Sequence, residues 1–169
     1  PIKSSAASDV YKRQGCRIVN TVSCTYAIGR IEPDFFEKGR NGRFFRIPVY
    51  SNTKLALLLF TQELAERLQN QGITINASDP GIVSTNMITM QAWFDPLTDI
   101  LFRPFIKTPA QGAATAIHLA LSNEAKDKNG CCYANCKKRN VSERIRHHAQ
   151  QKQLWDDTEI LLRQKGIRF

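Results

Sequence analysis

Tyr50 and Lys54 stand four residues apart in Y-S-N-T-K. This spacing puts a phenol and an ammonium on one helix face, because i and i+4 side chains are neighbours. A tyrosine moves protons near neutral pH only if a cation lowers its pKa from about 10. Such a pair suits carbonyl–alcohol interconversion, in which a side chain handles the hydroxyl proton and a cofactor the hydride. The chain has four tyrosines, and Tyr133 also has a lysine four residues on, Lys137. Context separates the two. Tyr50 opens an amphipathic helix that follows a buried strand, whereas Tyr133 ends a short strand before the solvated run Lys137-Lys138-Arg139. The spacing alone leaves Tyr50 equally readable as a helix-entry tyrosine packed on the core.

Other reactive groups fit their chemistries less well. Cys131, Cys132 and Cys136 with His147 and His148 lack the usual C-x2-C and H-x3–5-H ligand spacing of zinc. Cys131 and Cys132 also alternate faces of a strand, so no metal site is assigned. Ser23 has no G-x-S-x-G elbow to make it a hydrolase nucleophile. Neither G-x-G-x-x-G nor G-x-x-x-x-G-K occurs. With no secretory signal ahead of them, the five cysteines read as reduced thiols.

The elements that must position Tyr50 can be read from periodicity. Arg17 to Val22 is a β-branched run of the buried-strand kind. Leu55 to Leu68 is the strongest helix, with Leu57, Leu58, Leu64, Ala65 and Leu68 at helical spacing and Gln62, Glu63, Glu66, Arg67 and Gln69 mostly opposite. Gly72 is its natural stop. Ile73 to Ala77 alternates as a second strand, ended by Asp79-Pro80-Gly81. Pro109 to Leu121 is an alanine-rich helix with proline in its first turn. Cys131 to Ala134 is a short third strand, and Ser142 to Leu162 a basic, then mixed, helical tail. Asp34 to Arg46 reads as a loop excursion. Strand, helix, strand, helix, strand predicts right-handed crossovers, a parallel sheet and the α/β class.

Composition bounds the rest. With 169 residues, 42% hydrophobic and 23% charged, the chain is one globular domain or part of a larger one. Ser4 to Gln14, S-S-A-A-S-D-V-Y-K-R-Q, reads as an in-frame sequencing-adaptor translation, so residues 1–14 are set aside from fold reasoning. Removing that segment takes a net +2 from the formal +9 and leaves +7 on residues 15–169. Much of that charge lies between Lys137 and Arg146 without interleaved aromatics, which argues for a solvated face and against nucleic acid.

Three stretches in order, R-I-V-N-T-V-S (17–23), Y-S-N-T-K-L-A (50–56) and D-P-G-I-V-S-T (79–85), resemble the short-chain dehydrogenase/reductase family. The similarity is greatest to its retinol-dehydrogenase-like members. It includes a phenylalanine-containing insertion before the tyrosine helix, F-T-Q-E-L-A within it (60–65), I-K-T-P-A-Q-G-A (106–113) and Leu154-Trp155. The resemblance covers Cys16 to Leu162 and implies the C-terminal strands and helices of a Rossmann-like doubly wound parallel sheet.

It also implies roles. Ser23 would steady the substrate oxygen, Tyr50 would be the acid/base, and Lys54 would tune it and bind the cofactor ribose, with Tyr50 beside it. Pro80, Gly81, Val83 and Thr85 would contact the nicotinamide end of NADP or NAD, NADP being the one the resemblance favours. The bland alternatives are a loop-capping serine for Ser23 and an ordinary turn for Pro80-Gly81. Met87 to Ile106 would form an apolar lid over a small lipophilic alcohol or aldehyde, with a core cover or a membrane-surface contact as other readings. The Tyr50–Leu68 helix is a candidate homodimer face.

The family's T-G-x-x-x-G-x-G loop and N-A-G segment are missing. Both normally precede the strand at Arg17, so a chain cut near Gly15 is expected, lacking the half that grips the dinucleotide. Such a fragment is expected to be poorly folded and inactive. Location stays open, intracellular in the cytoplasm or at a membrane. The competing class is a catalytically inactive interaction module that keeps the family's shape.

Overall fold

The structure, a computed structural model, describes residues 15–32, 35–36, 46–83 and 106–167. Residues 1–14, Thr85, almost all of the Met87–Ile106 segment and most of the Asp34–Arg46 excursion lie outside the described residues.

The ordered elements are β1 (Cys16–Thr21), α1 (Arg46–Arg67), β2 (Ile73–Asp79), α2 (Pro109–Leu121), β3 (Cys132–Ala134), β4 (Lys137–Lys138), α3 (Glu143–Arg146) and α4 (Gln151–Gln164). They build one sheet in the order β1-β2-β3-β4. β1 pairs with β2 in parallel from Cys16↔Ile73 to Thr21↔Ser78, and β2 with β3 in parallel from Ala77↔Cys132 to Asp79↔Ala134. The expected parallel α/β architecture is therefore present. One antiparallel strand is added: β4 returns beside β3 through Asn135 and Cys136, both with positive φ (52° and 58°). That two-residue turn matches the right-handed twist of the strands it joins. The run Lys137-Lys138, expected to be merely solvated, is thus an exposed edge strand.

Two apolar clusters occupy the two sides of the sheet. Val22, Tyr26, Ala77 and Cys132 pack with Leu55, Leu58 and Leu59 of α1, while Val19, Cys131 and Tyr133 pack with Leu119 of α2. Cys131 and Cys132 accordingly face opposite ways. Each fully buried leucine of α1 contributes roughly 1.5–3 kcal/mol of transfer free energy.

Four features differ from the periodic reading. α1 begins at Arg46, ahead of Tyr50, and its buried stripe is Ser51, Leu55, Leu58 and Leu59, with Leu57, Leu64 and Leu68 only half-buried. Glu63, expected on the polar face, is buried and held by Arg67 (2.8 Å) and Gln151 (3.1 Å). β2 is buried on both faces almost throughout, because it is the central strand with a helix on each side. The tail breaks into α3 and α4 at His147, whose φ/ψ of −120°/52° is non-helical.

Asparagine side chains complete β2 where β3 has not yet joined. Asn129 accepts from Ile75 N (2.9 Å), and Asn76 accepts from Cys131 N (3.0 Å) and donates to the Lys128 carbonyl (2.6 Å). Buried backbone groups need such partners.

Candidate active site

Tyr50 and Lys54 sit in the first half of α1. Pro48 occupies the first turn, where its missing N–H costs no helical hydrogen bond. Tyr50 is 41% exposed, and the Lys54 Nζ lies 5.5 Å from the centroid of its ring. The same ammonium donates to the carbonyl of Thr21, the last residue of β1, at 2.9 Å. One lysine therefore ties the tyrosine helix to the carboxyl end of the first strand.

Ser23 follows two residues later and caps a 3-10 turn, Cys24–Ile28. Its Oγ accepts from Thr25 N at 3.5 Å, the long limit of a hydrogen bond. From there the chain crosses the start of α1. Arg30 N donates to Asn52 Oδ1 at 2.9 Å, and buried Gly29 lies so close that a Cβ on it would be 2.5 Å from the Ser51 carbonyl oxygen. Since Gly29 has φ −66°, space and not conformation demands glycine. Gly29→Ala should cost about 1–3 kcal/mol by forcing this segment off the helix. Chemical denaturation of the variant checks it, and a loss below the lower limit would show that the segment yields freely.

The second wall is the chain leaving β2. Asp79 Oδ1 accepts from Gly81 N (3.0 Å), and Gly81 turns with φ +77°. Val83 then bridges Lys107 in parallel, and Lys107 N donates to the Ile82 carbonyl at 2.8 Å. A Cβ on Gly112, in the first turn of α2, would lie 2.5 Å from a Val83 methyl carbon, so α2 seats directly against this loop. The loops after β1 and β2 thus share one end of the sheet, the usual ligand edge of open α/β folds. Ser23, Tyr50 and Lys54 belong to the first loop and its helix; Pro80, Gly81 and Val83 belong to the second.

Polar groups brace that end from behind. The Asp79 side chain, 2% exposed, pairs with Arg139 at 2.8 Å. Tyr26 and Cys132 lie together in the buried core there. Burial pushes Tyr26 up from 10.0 to about 12 and Cys132 from 9.0 to about 11. Groups raised this way favour the fold below their unfolded pKa and lose that contribution as pH climbs through the folded one. Thermal stability should therefore lose this contribution progressively above pH 9.0, over the range up to about 12. Cys132→Ala should move the onset of the fall upward, and an unchanged alkaline limb would reject this origin.

The sequence reading missed Gly29, Asn52, Lys107, Gly112 and Arg139. The motif I-K-T-P-A-Q-G-A contained two of them, and only the resemblance drew attention to it. An apolar cavity of about 510 Å³ lies elsewhere, between α1 and α4. Phe35, Phe36, Phe60, Leu154 and Trp155 line it together with Thr53, but not Tyr50, Lys54 or Ser23. Phe60 and Trp155 stack there at 5.4 Å, so α4 covers part of the α1 surface. Among the described residues no helix is long and apolar enough to cross a membrane.

The short chain dehydrogenase family profile matches residues 37–93. Retinol dehydrogenase 12 of Mus musculus is 38% identical over 153 residues, a match covering 90% of this chain and 46% of that protein. Retinol dehydrogenase 14 of Homo sapiens is 36% identical over 166 residues, covering 95% and 46%. The chain is similar to the short-chain dehydrogenase family. It spans about half the length of these curated relatives.

Solved structures share this fold over much of the chain. An uncharacterised protein from Mycobacterium paratuberculosis superposes with a TM-score of 0.61 at 22% identity, over 87% of this chain and 50% of that one. A short-chain dehydrogenase from Burkholderia cenocepacia in complex with NADP gives 0.52 at 24% identity, over 72% and 44%.

Proposed function

We propose that this chain is the C-terminal part, residues 15–169, of an NAD(P)-dependent oxidoreductase that interconverts a lipophilic alcohol and its carbonyl compound. The observation that carries this reading is the placement of Lys54, bonded to the Thr21 carbonyl and set over the Tyr50 ring.

The donor set fits the nicotinamide–ribose end of a dinucleotide. An ammonium has three donors, and among the described residues Lys54 spends one, on Thr21. The others can meet vicinal ribose hydroxyls. Pro80, Gly81 and Val83 offer backbone groups at the facing loop, and Thr85 follows them in the sequence. When bound, the dinucleotide supplies or accepts the hydride. Everything else falls to this chain. Tyr50 gives or takes the substrate hydroxyl proton at its phenolic oxygen. The Ser23 hydroxyl donates to the substrate oxygen as charge develops there. A lipophilic substrate is supported by the retinol dehydrogenases among the relatives. The NADP complex among the structural neighbours supports NADP as cofactor, with NAD the alternative.

β1 is the edge strand among the described residues, and its side chains are mostly half-buried. In the full-length protein this edge would be paired; alone, the 169-residue chain would be inactive. The test is to recover the full-length protein and assay it with NADPH and NADH against long-chain aldehydes. Turnover by that protein, with no saturable NADPH binding by the isolated chain, is the expected pattern. A full-length protein inert towards both cofactors would favour the inactive interaction module.

A further inference from the structure

Lys107 reaches across the second wall. Its Nζ donates to the Pro80 carbonyl at 2.9 Å and to Asn135 Oδ1 at 2.6 Å. Its methylenes run over Gly81, where an added Cβ would meet Nζ, Cε and Cδ at 3.1, 3.2 and 3.6 Å. Its backbone is fixed at the same time, through the bridge to Val83 and the bond to the Ile82 carbonyl. Asn135 is the first of the two left-handed residues of the β3–β4 turn, itself locked by strand pairing. The lysine therefore joins three separate segments: the Pro80–Val83 loop, the start of α2 and the hairpin.

Resting on the function proposed above, we propose that Lys107 is a positioning residue that holds the Pro80–Gly81 turn in the shape that receives the nicotinamide end of the dinucleotide. Pro80 has no N–H and Gly81 has no side chain, so the turn can fix its own carbonyl direction only through outside partners. Asp79 holds the Gly81 amide from one side, and Lys107 holds the Pro80 carbonyl from the other. A charge-assisted bond to that carbonyl also polarises the Pro80–Gly81 peptide, which strengthens its amide as a donor.

The test uses Lys107→Met, which keeps the methylene contact with Gly81 and removes the donors, and Lys107→Arg, which returns them. Two readouts are taken in the full-length protein: amide hydrogen exchange at Gly81, and dinucleotide affinity from fluorescence titration with NADPH. Lys107→Met should speed exchange at Gly81 and weaken NADPH binding, each by about tenfold, the loss expected for one charge-assisted hydrogen bond. The thermal midpoint and kcat at saturating cofactor should stay close to wild type, and Lys107→Arg should recover most of both losses. A merely structural lysine would lower the thermal midpoint without separating affinity from kcat. Unchanged exchange at Gly81, or faster exchange with unchanged affinity, overturns the positioning role while the proposed function stands. A wild-type protein that binds neither NADPH nor NADH overturns both.

Discussion

Replacing Tyr50 by phenylalanine in the full-length protein should lower kcat by about 10³-fold while leaving NADPH affinity nearly unchanged. The reasoning starts from exposure. Tyr50 is on the open side of α1, and the residues that hold the helix to the sheet are Ser51, Leu55, Leu58 and Leu59. Among the described residues no hydrogen bond of the Tyr50 hydroxyl supports the fold, so phenylalanine leaves the helix and its packing intact. What disappears is the oxygen that exchanges the proton. Lys54 keeps its anchor on Thr21 and its remaining donors, so the ribose contacts survive. Steady-state kinetics with a saturating aldehyde measures the first quantity and NADPH titration the second. Activity within about tenfold of wild type would remove Tyr50 from the role.

Arg139→Met should cost about 3 kcal/mol of stability, since it strands a buried carboxylate. Asp79 is 2% exposed and holds two bonds, one from Arg139 and one from Gly81 N. Arg139 itself is 45% exposed, which places the loss at the lower end for a broken buried pair. Adding Asp79→Asn to the variant should regain more than half of the loss, because an amide oxygen still accepts from Gly81 N and carries no charge. Urea unfolding of both single variants, the double variant and the wild type gives the coupling. If the double variant is as weak as Arg139→Met, packing of the arginine and not its charge is what the fold uses.

Local signals made much of this fold legible. β1 was readable as a β-branched run, α1 and β2 from apolar periodicity and α2 from its alanines, and the capping box of Thr108 with Gln111 fixes the start of α2 as its Pro109 suggested. The central position of β2 was not readable. Asn76 and Ser78 share one polar face and Asp79 was read as the strand's end, yet all three are buried. For Asn76 and Asp79 the partners that permit this come from Lys128, Cys131 and Arg139, far along the chain. β4 was missed because Asn135-Cys136 lacks the Asn-Gly signature of its turn, and because two lysines have no strand-like pattern. The tail looked continuous since Ser142 to Leu162 contains no proline or glycine. The break at His147 shows instead in backbone angles and in the His148 ring, whose Nδ1 accepts from Gln150 N at 3.2 Å.

The candidate site divides the same way. Tyr50 and Lys54 were found by a four-residue spacing, and Ser23 and Pro80-Gly81 by the resemblance. Lys107 and Arg139 reach their partners across 27 and 60 residues, where no local pattern exists.

The Lys54 ammonium rests on a peptide oxygen and not on a side chain. Every residue type presents that oxygen at the end of a strand. Position 21 can therefore drift in sequence without loosening the lysine, and a saturation library there should tolerate polar and apolar replacements alike. The support beneath the proposed proton transfer is written in the fold of β1, out of reach of single substitutions.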